Sequence, residues 1–344
     1  MKKYFWGIIF VLACKISIVF AQPVHQYGQL RVEGSNIVDQ KGQIATLKGV
    51  SLGWHNWWPQ FYNPSVVEYL TKHWHISVIR AAMGVEPVGG YLDSPEKSKA
   101  LIKTIIDAAI ANGIYVIVDW HSHGIYPEQA EYFFSDIAQQ YAEYPNLIYE
   151  IFNEPEDKSW EEIKDYSISI IEAIRRYDKH NLIIVGTPNW SHDVDVVADD
   201  PIVGYDQIVY SLHFYAASHD YVRYKAEYAV RKGLPMFITE CSLSEADGDG
   251  KLDKNRFSRW IKFMERNSIS FVLWGLYDKE ESSAMLKPGA DYDGDWPRSQ
   301  LTKMGVFSRQ LMIGGIGLSK IVSFIIGTLF VVVILTISSK LIKR

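Results

Sequence analysis

The sequence predicts an α/β protein: a (β/α)8 TIM barrel preceded by a short N-terminal β-hairpin and followed by a C-terminal transmembrane helix. Eight short apolar runs rich in valine and isoleucine, each followed by an amphipathic segment, occupy the middle of the chain. Continuous apolar runs are typical of strands buried on both faces of a parallel sheet. Eight such units in 344 residues favour a barrel. A doubly wound sheet is the alternative, but glycine-rich phosphate loops are absent from the strand ends.

The C-terminal ends of the predicted strands define where a functional site would lie. They cover residues 46–51, 78–83, 114–121, 147–153, 182–186, 208–215, 236–241 and 269–275. Before them, residues 28–44 read as a hairpin whose two runs flank a turn at 39–42. We expect this hairpin to plug the bottom of the barrel.

Sequence patterns typical of helices lie between the predicted strands. Residues 94–111 carry an apolar stripe and stop at Asn112-Gly113, where glycine allows a left-handed end. Residues 127–144 begin with proline, which suits the first turn of a helix. The sequence from Ser159 to Glu162 has the spacing of a capping box, which predicts a helix start there.

Both ends of the chain have the composition of targeting segments. Lys2 and Lys3 precede an apolar run, which predicts a signal peptide at residues 1–21. A lipoprotein signal cleaved before Cys14 fits the spacing less well. Residues 321–339 carry no charge and basic residues follow them, which predicts a membrane anchor at 313–344 with its end in the cytoplasm. A buried helix of the domain and a cleaved lipid-anchor or sorting signal are the alternatives.

These segments define the predicted organisation of the chain. Residues 22–312 form one folded domain, placed at the cell surface outside the cytoplasm and held to the membrane by the C-terminal helix. The net charge of −5 and the lack of a basic stripe argue against a nucleic-acid partner. Two cysteines exclude a disulfide framework. The 11 tryptophans and 21 tyrosines fit either a large core or a surface on which sugar rings stack.

Polar side chains end several of the apolar runs. The C-terminal ends of barrel strands converge on one site, and polar groups placed there satisfy one another's hydrogen bonds. Two of these groups, Glu154 and Glu240, are carboxylic acids on different strands. A pair of carboxylic acids is the minimum for glycoside hydrolysis, one protonated to donate and the other ionised to attack. The other polar or aromatic groups at these ends are Arg80, His121, Asn153, His213, Tyr215 and Trp274.

The sequence resembles glycoside hydrolase family 5, in its bacterial-type endo-β-1,4-glucanase (cellulase) branch. The matching stretches are "KGVSLGW", "VIRAAMGVE", "VIVDWHSH", "IYEIFNEP", "NLIIVGTPNWS", "LHFYA", "FITE" and "LWGLYDKEESSAML". The resemblance covers about residues 29–306 and implies retaining hydrolysis on a (β/α)8 barrel without a cofactor. It implies that Glu154 is the acid/base and Glu240 the nucleophile.

The resemblance also implies the roles of the surrounding residues. Arg80 and Tyr215 orient the nucleophile, His213 supports the acid/base, and Asn153 binds the sugar 2-hydroxyl. The implied substrate-binding residues are His121, Trp274, Lys279, Glu281 and Trp54. The expected partner is a β-1,4-glucan, and the catalytic domain is expected to be monomeric.

Three features leave alternatives open. His121 and His123 could bind zinc together with a carboxylate, and the aspartate-rich stretches 247–250 and 291–295 are either calcium loops or turns. We expect no metal. Cys241 stands where the family usually has tryptophan, and its smaller side chain would leave space beside Glu240 or change a subsite wall. The sequon at Asn189 is interpreted as chance.

The functional reading has two rivals of different kinds. A related hydrolase of the same fold would act on mannan, xylan or mixed-linkage glucan. A catalytically silent surface protein would bind glycans without cleaving them.

Overall fold

A closed barrel of eight parallel strands forms the body of the protein. The computed structural model describes residues 22–314. The barrel strands, taken in chain order, are β3 (Lys48–Leu52), β4 (Val78–Gly84), β5 (Tyr115–His121), β6 (Leu147–Glu150), β7 (Leu182–Val185), β8 (Ile208–Tyr215), β9 (Met236–Ser242) and β10 (Ser270–Leu276). Each strand pairs in parallel with the next, and β10 pairs with β3 to close the ring. The predicted (β/α)8 barrel is confirmed.

Helical segments precede the hairpin or connect successive barrel strands. They are α1 (Pro23–Tyr27), α2 (Pro64–Tyr69), α3 (Pro95–Asn112), α4 (Pro127–Tyr141), α5 (Trp160–Arg175), α6 (Pro188–Ser191), α7 (Val194–Asp199), α8 (Val222–Lys232) and α9 (Lys254–Asn267), and residues 303–314 are also helical. The predicted left-handed stop after α3 is present, since Gly113 has a φ of 65°. Glycine adopts this conformation without a Cβ clash, so the chain can leave α3 and enter β5 at once.

The predicted capping box is present at the start of α5, and its contribution to stability can be measured. Ser159 Oγ accepts from the backbone N–H of Glu162, and the Glu162 carboxylate accepts from the backbone N–H of Ser159. We expect Ser159→Ala to lower the free energy of unfolding by about 1 kcal/mol, because an N–H at the helix end loses its acceptor. Denaturant unfolding measures the change. Ser159→Thr, which keeps the hydroxyl, should stay near wild type, and equal losses in both variants would contradict the capping role.

The hairpin and the bottom of the barrel share one apolar cluster. The strands β1 (Arg31–Glu33) and β2 (Asn36–Val38) pair antiparallel across Gly34 and Ser35. The predicted hairpin is confirmed, but its turn is not at 39–42, which closes only a single bridge between Val38 and Ile44. Leu30 and Ile37 pack in one buried cluster with residues at the lower ends of the barrel strands, namely Val78, Ile117, Ile148, Val209, Phe237 and Val272. This contact supports the plug interpretation.

A polar layer lies directly above this apolar layer inside the barrel. Successive side chains of a strand alternate between its two faces, so the residue two places after an inward apolar residue also points inward. Two places beyond Val78, Ile117, Ile148, Val209 and Phe237 stand Arg80, Asp119, Glu150, Ser211 and Thr239. All five of these polar residues are fully buried. The barrel interior therefore changes from apolar to charged within one step along its strands.

The predicted membrane segments are not part of this structure. The signal peptide at 1–21 and the uncharged segment 321–339 lie outside the described residues. Within residues 22–314, no helix is both long and apolar enough to cross a bilayer.

Candidate active site

A cleft crosses the C-terminal ends of the strands and collects most of the predicted site residues. One part of it, about 220 Å³ in volume, is lined by Trp54, Trp57, Trp58, His121, His123, Glu154, Tyr215, Glu240, Trp274, Tyr277, Lys279 and Glu281, among others. Three predicted residues, Arg80, Asn153 and His213, lie fully buried beneath it. The barrel thus brings all eleven predicted site residues to one end, at or directly below the cleft floor.

Glu240 is held at the cleft floor by two donors. Arg80 Nη1 lies 3.0 Å from Glu240 Oε2, and the Tyr215 hydroxyl donates to Oε1 over 2.6 Å. The pairing of β8 with β9 shifts register between Ser211 and His213. This irregularity lets the consecutive residues Thr239 and Glu240 both reach the barrel interior, which regular alternation forbids. Both oxygens of the Glu240 carboxylate are therefore fixed.

Glu154 stands on the segment after β6, not within the strand as predicted. The strand ends at Glu150, and the segment stays beside β5 because Asn153 N–H donates to the Trp120 carbonyl and Glu154 N–H to the Ser122 carbonyl. The Glu154 carboxylate faces two histidines. Its Oε1 lies 2.7 Å from His213 Nδ1.

The second histidine contact of Glu154 is made on its cleft side. His123 Nε2 lies 3.5 Å from Oε2. The backbone at His123 is in turn held by Glu86, whose Oε1 accepts from the N–H groups of His123 and Gly124. The acid group is therefore held from below by His213 and from the side by His123.

Glu154, His213 and Glu240 are close enough to titrate together. One ligand atom of each lies within 4.8 Å of the others. Burial and the charge of Glu154 raise the pKa of Glu240 against the opposing effect of Arg80. Burial opposes ionisation of Glu154 as well, but hydrogen bonds from His123 and His213 outweigh it and lower the pKa of Glu154. Although burial disfavours its charge, hydrogen bonds to Glu150 and Glu154 raise the pKa of His213 to about 9. In the substrate-free site, these shifts favour a protonated His213 beside an ionised Glu154.

Arg80 is the cation of the polar layer and is surrounded by carboxylates. Its Nε donates to Glu150 Oε2 over 2.7 Å, and its Nη2 lies 2.9 Å from Asp119 Oδ2. Nη2 also donates to Asn153 Oδ1 over 2.7 Å. Burial alone would lower the pKa of Arg80, but the charges of Asp119, Glu150 and Glu240 raise it. A charge-assisted network of this kind positions Asn153 and Glu240 from one guanidinium.

The sequence reading missed part of this network. The sequence alone assigns no role to Glu150, Asp119 or Thr239. The signal that identifies them is their position two residues after an inward apolar side chain on the same strand. Asp119 Oδ2 also lies 2.6 Å from His121 Nδ1, so it orients a predicted substrate-binding residue.

An aromatic platform lines one half of the cleft. The Trp54 ring stacks on Trp57 with centroids 4.6 Å apart, and Trp274 stacks on His121 at 5.4 Å. Trp57 is 52% exposed, so its ring is open to a ligand. Among the predicted contact residues at this end, Lys279 and Glu281 form an ion pair with each other. The Tyr277 hydroxyl, which sequence reasoning missed, donates to Glu281 over 2.6 Å.

The other half of the cleft is a pocket of about 430 Å³ that meets the first half at Glu154 and Tyr215. The remaining lining includes residues that sequence reasoning did not assign to the site, namely Asn189, Trp190, His192, His219 and Tyr221. The pocket therefore extends the cleft past the two glutamates in the direction away from Trp54.

Trp190 is presented to this pocket by a left-handed turn. Asn189, Trp190 and Ser191 have φ values of 56°, 55° and 56°. Each costs roughly 1–2 kcal/mol for a residue with a Cβ, so the turn needs external support. Trp190 N–H donates to the Pro155 carbonyl, and Ser191 Oγ donates to the Asn153 carbonyl over 2.8 Å. The turn is thus braced against the segment that carries Glu154.

The metal alternatives find little support. Among the described residues, the group of side chains that could hold an ion is Glu154, His213 and Glu240, and the His121–His123 pair is not part of it. In the stretch 247–250, Asp249 accepts from Ser282 and Asp247 accepts from the Asp249 N–H. These bonds are typical of turns.

Cys241 does not form a wall of the cleft. It is fully buried among the apolar residues between the barrel and its outer helices, and it lines neither half of the cleft. Its Sγ lies 3.3 Å from the Val272 carbonyl. The expectation that it changes a subsite wall is therefore wrong, because the residue after Glu240 points out of the barrel. Burial raises the pKa of its thiol.

Comparisons with known proteins agree with this geometry. An endoglucanase of Clostridium saccharobutylicum is 43% identical over 84% of this chain, and endoglucanase Z of Dickeya dadantii is 42% identical over 75%. The chain spans 65% and 62% of the length of these two relatives.

Solved structures match over a larger share of their own length. A protein from Cytophaga hutchinsonii has a TM-score of 0.83 at 39% identity, covering 85% of this chain and 96% of the other. The catalytic domain of endoglucanase Cel5A from Thermobifida fusca has a TM-score of 0.80 at 33% identity, covering 85% and 99%. The sequence model described as "Cellulase (glycosyl hydrolase family 5)" matches residues 38–280. The chain belongs to glycosyl hydrolase family 5.

Proposed function

We propose that the protein is a retaining endo-β-1,4-glucanase, which hydrolyses internal β-1,4-glucosidic bonds of cellulose or related β-glucans by double displacement. The observation that carries the proposal is the pair of carboxylates, Glu154 and Glu240, with one oxygen of each within 4.8 Å of the other on the floor of an open cleft. Retaining glycosidases place their carboxyl groups about 5–5.5 Å apart, whereas inverting ones leave about 6.5–9.5 Å for a water molecule. The spacing supports retention.

In this mechanism Glu240 attacks the anomeric carbon and forms a glycosyl-enzyme. Arg80 and Tyr215 hold both of its oxygens by hydrogen bonds, which orients the carboxylate for attack. Glu154 protonates the departing sugar oxygen and then takes a proton from the water that hydrolyses the intermediate. His213 Nδ1 lies 2.7 Å from Glu154 Oε1, so a proton on His213 in the empty site can pass to Glu154 and give its acid form.

Substrate contacts follow from the groups that the protein leaves unpaired. Asn153 Nδ2 is buried and has no hydrogen-bond partner among the described residues. A buried donor without an acceptor costs free energy, so a sugar 2-hydroxyl at this point would satisfy it. Trp274 and His121 form one parallel stack in the lining of the cleft, and Trp274 suits the apolar face of the sugar at the cleavage point.

Two properties support an internally cleaving β-1,4-glucanase over its rivals. The cleft continues on both sides of the two glutamates, so a long chain can pass through it. The two similar proteins from Clostridium saccharobutylicum and Dickeya dadantii are named as endoglucanases, and the Cel5A domain has been solved with cellotetraose. Mannanase, xylanase and mixed-linkage glucanase activities remain the rivals within the fold, and a silent glycan-binding protein is the rival outside it.

A panel of polysaccharides tests the proposal with the full-length protein. We expect reducing ends to appear from carboxymethyl-cellulose, with lower rates on mannan, xylan and mixed-linkage glucan. Binding without product from any of them would favour the silent glycan-binding protein. A 2-fluoro cellobioside should label Glu240 in mass spectrometry, and labelling of another residue would overturn the assigned roles. Glu154→Gln should slow hydrolysis of unactivated chains by roughly 10²–10⁴-fold, the usual contribution of a general acid.

Trp190 offers a test of the second half of the cleft. We expect Trp190→Ala to raise KM for cellopentaose about 2- to 10-fold, because an aromatic contact contributes about 0.5–1.5 kcal/mol. KM for 2,4-dinitrophenyl β-cellobioside, which places no sugar in this pocket, should not change. Tyr224 is exposed and lines neither half of the cleft, so Tyr224→Ala is the matched control. Equal KM changes in both variants would remove Trp190 from the substrate path.

The location of the enzyme is also a proposal. The apolar N-terminal run and the uncharged segment 321–339 support an enzyme secreted through a signal peptide and anchored outside the cytoplasm by its C-terminus. The full chain should stay with membranes after carbonate extraction, and a chain truncated after Met312 should not. Equal release of both forms would reject the anchor.

A further inference from the structure

Beneath Glu154 runs a chain of buried hydrogen bonds with one consistent direction. It links His213 Nε2 to Thr239 Oγ1 over 2.9 Å and Thr239 Oγ1 to Glu150 Oε1 over 2.5 Å. All three residues are fully buried. Glu150 is held from its other oxygen by Arg80 Nε at 2.7 Å.

The charge state of Glu150 sets the direction of the chain. Burial would raise its pKa, but the charge and hydrogen bond of Arg80 outweigh burial and lower it, so Glu150 is ionised. An ionised carboxylate only accepts hydrogen bonds, and a hydroxyl has one proton to donate. The Thr239 proton therefore points to Glu150, and the Thr239 lone pairs remain for donors.

Two donors then meet Thr239 Oγ1. Ser211 Oγ lies 2.6 Å away and His213 Nε2 lies 2.9 Å away. Since Oγ1 has already given its only proton to Glu150, the hydrogen bond from His213 requires a proton on Nε2. The opposite nitrogen, Nδ1, is the one that faces Glu154 Oε1 at 2.7 Å.

We propose that Glu150 and Thr239 form a relay that keeps a proton on Nε2 of His213, so that Nδ1 is the nitrogen that gains and loses a proton towards Glu154. This inference rests on the proposed function, and it makes Thr239 a positioning residue for the acid/base. The relay satisfies His213 in both of its charge states, because Nε2 donates to Thr239 whether or not Nδ1 is protonated.

Protons balance over the two steps. Before cleavage, Glu154 and Nδ1 of His213 hold one proton between them. The leaving oxygen takes a proton from Glu154 as the C–O bond breaks and the bond to Glu240 forms, which leaves a carboxylate beside a neutral imidazole. Water then attacks the anomeric carbon, the bond to Glu240 breaks, and the water proton returns to Glu154. The Nε2 proton does not move.

Other titratable groups also face the His213 imidazole, and they contribute to the pH dependence of catalysis. The titratable groups around His213 are Glu150, Glu154, Glu240, Asp119, His121 and His192. Thr239→Val changes the formal charge of none of them, but it removes the hydroxyl that bridges His213 and Glu150. Without an acceptor on Nε2, the cationic imidazole is less stable, so the basic limb of the pH profile should move to lower pH.

The experiment compares Thr239→Val with Thr239→Ser and Ser211→Ala in the full-length protein. Val is close in shape to Thr, Ser keeps the hydroxyl, and Ser211→Ala removes a buried hydroxyl that contacts Thr239 but neither His213 nor Glu150. The readout is kcat/KM for two substrates. Cellopentaose needs a proton on its leaving oxygen, whereas 2,4-dinitrophenyl β-cellobioside has a leaving group that departs without one.

We expect Thr239→Val to lower kcat/KM for cellopentaose at least about tenfold, within the range of a general acid, and to leave the dinitrophenyl substrate nearly unchanged. Thr239→Ser should restore the cellopentaose rate, and Ser211→Ala should keep it. Equal losses on both substrates, or a Thr239→Val enzyme that behaves like Ser211→Ala, would overturn the relay. If the valine variant does not fold, Thr239→Ala carries the same comparison. A wild-type protein that cleaves neither substrate would reject the proposed function instead.

Discussion

Replacing Glu240 with glutamine is expected to abolish turnover of cellulose fragments. Glutamine keeps the size of the side chain but has no negative charge with which to attack the anomeric carbon. Loss of the nucleophile in a serine hydrolase costs on the order of 10⁶-fold in kcat, so a fall of at least about 10⁴-fold is expected here. The measurement is kcat for cellopentaose with the full-length protein.

Two controls separate chemistry from folding in this experiment. Glu245 follows the same strand, lies on the exposed side of the following loop and is not bonded to the glutamate pair, so Glu245→Gln should keep wild-type kcat. With 2,4-dinitrophenyl β-cellobioside, whose leaving group departs without a proton, added azide should restore turnover to Glu154→Gln by attacking the glycosyl-enzyme. Azide should not restore turnover in this way to Glu240→Gln, which forms no glycosyl-enzyme. Residual kcat within a factor of ten of wild type in Glu240→Gln would remove Glu240 as the nucleophile.

The second large effect concerns stability. Arg80→Met should lower the free energy of unfolding by about 3–5 kcal/mol at neutral pH, the usual cost of leaving a buried charge without its partner. The variant leaves Asp119, Glu150 and Glu240 together in a buried layer without the guanidinium that pairs with all three. Denaturant unfolding of the full-length protein measures the loss. Arg80→Lys keeps a positive charge and should lose clearly less, so equal losses in both variants would contradict the charge argument.

The effect of Arg80→Met should depend on pH in one direction. Because the pKa of Glu150 is lowered in the folded protein, Arg80 provides full stabilisation above the ordinary glutamate pKa of 4.5. That stabilisation is lost as the pH falls through the lowered pKa. The stability gap between wild type and Arg80→Met should therefore narrow on acidification. A gap that widens instead would show that packing, not charge, dominates at this position.

The strands were predictable from sequence because burial on both faces leaves a continuous apolar run. The exact strand ends were not, and this matters most at β6. The apolar run continues to Phe152, but pairing stops at Glu150, so Asn153 and Glu154 stand on a separate segment. Apolar periodicity cannot distinguish a strand residue from one that packs beside the strand after its hydrogen bonds end.

The direction in which individual side chains point was the second feature that could not be predicted from the sequence. A strict alternation along β9 would turn either Thr239 or Glu240 away from the interior, and the register shift against β8 is what admits both. The same shift turns Cys241 outward, which no pattern in the sequence reveals. The left-handed turn at Trp190 was likewise hidden, since none of its residues is glycine.

Only some residues of the charged layer and of the glutamate pair above it could be predicted from the sequence. Glu154, Glu240 and Arg80 stand out because they end apolar runs, and the resemblance to a known family assigned them roles. Glu150 did not stand out, because its importance depends on Arg80 and Thr239, which approach it from two other strands. Contacts between distant strands are a property of the closed barrel and not of any single segment.

Because Cys241 points out of the barrel, its thiol can report local opening of β9, the strand that carries Glu240. Its thiol is completely shielded in the folded protein, so a maleimide reagent can reach it only when the layer between barrel and helices opens. The labelling rate of the peptide that contains Cys241, followed by mass spectrometry, therefore measures how often β9 separates from its surroundings. A substrate analogue bound at Glu240 should slow this labelling. Slower labelling would connect occupancy of the cleft to local opening of the apolar layer around Cys241.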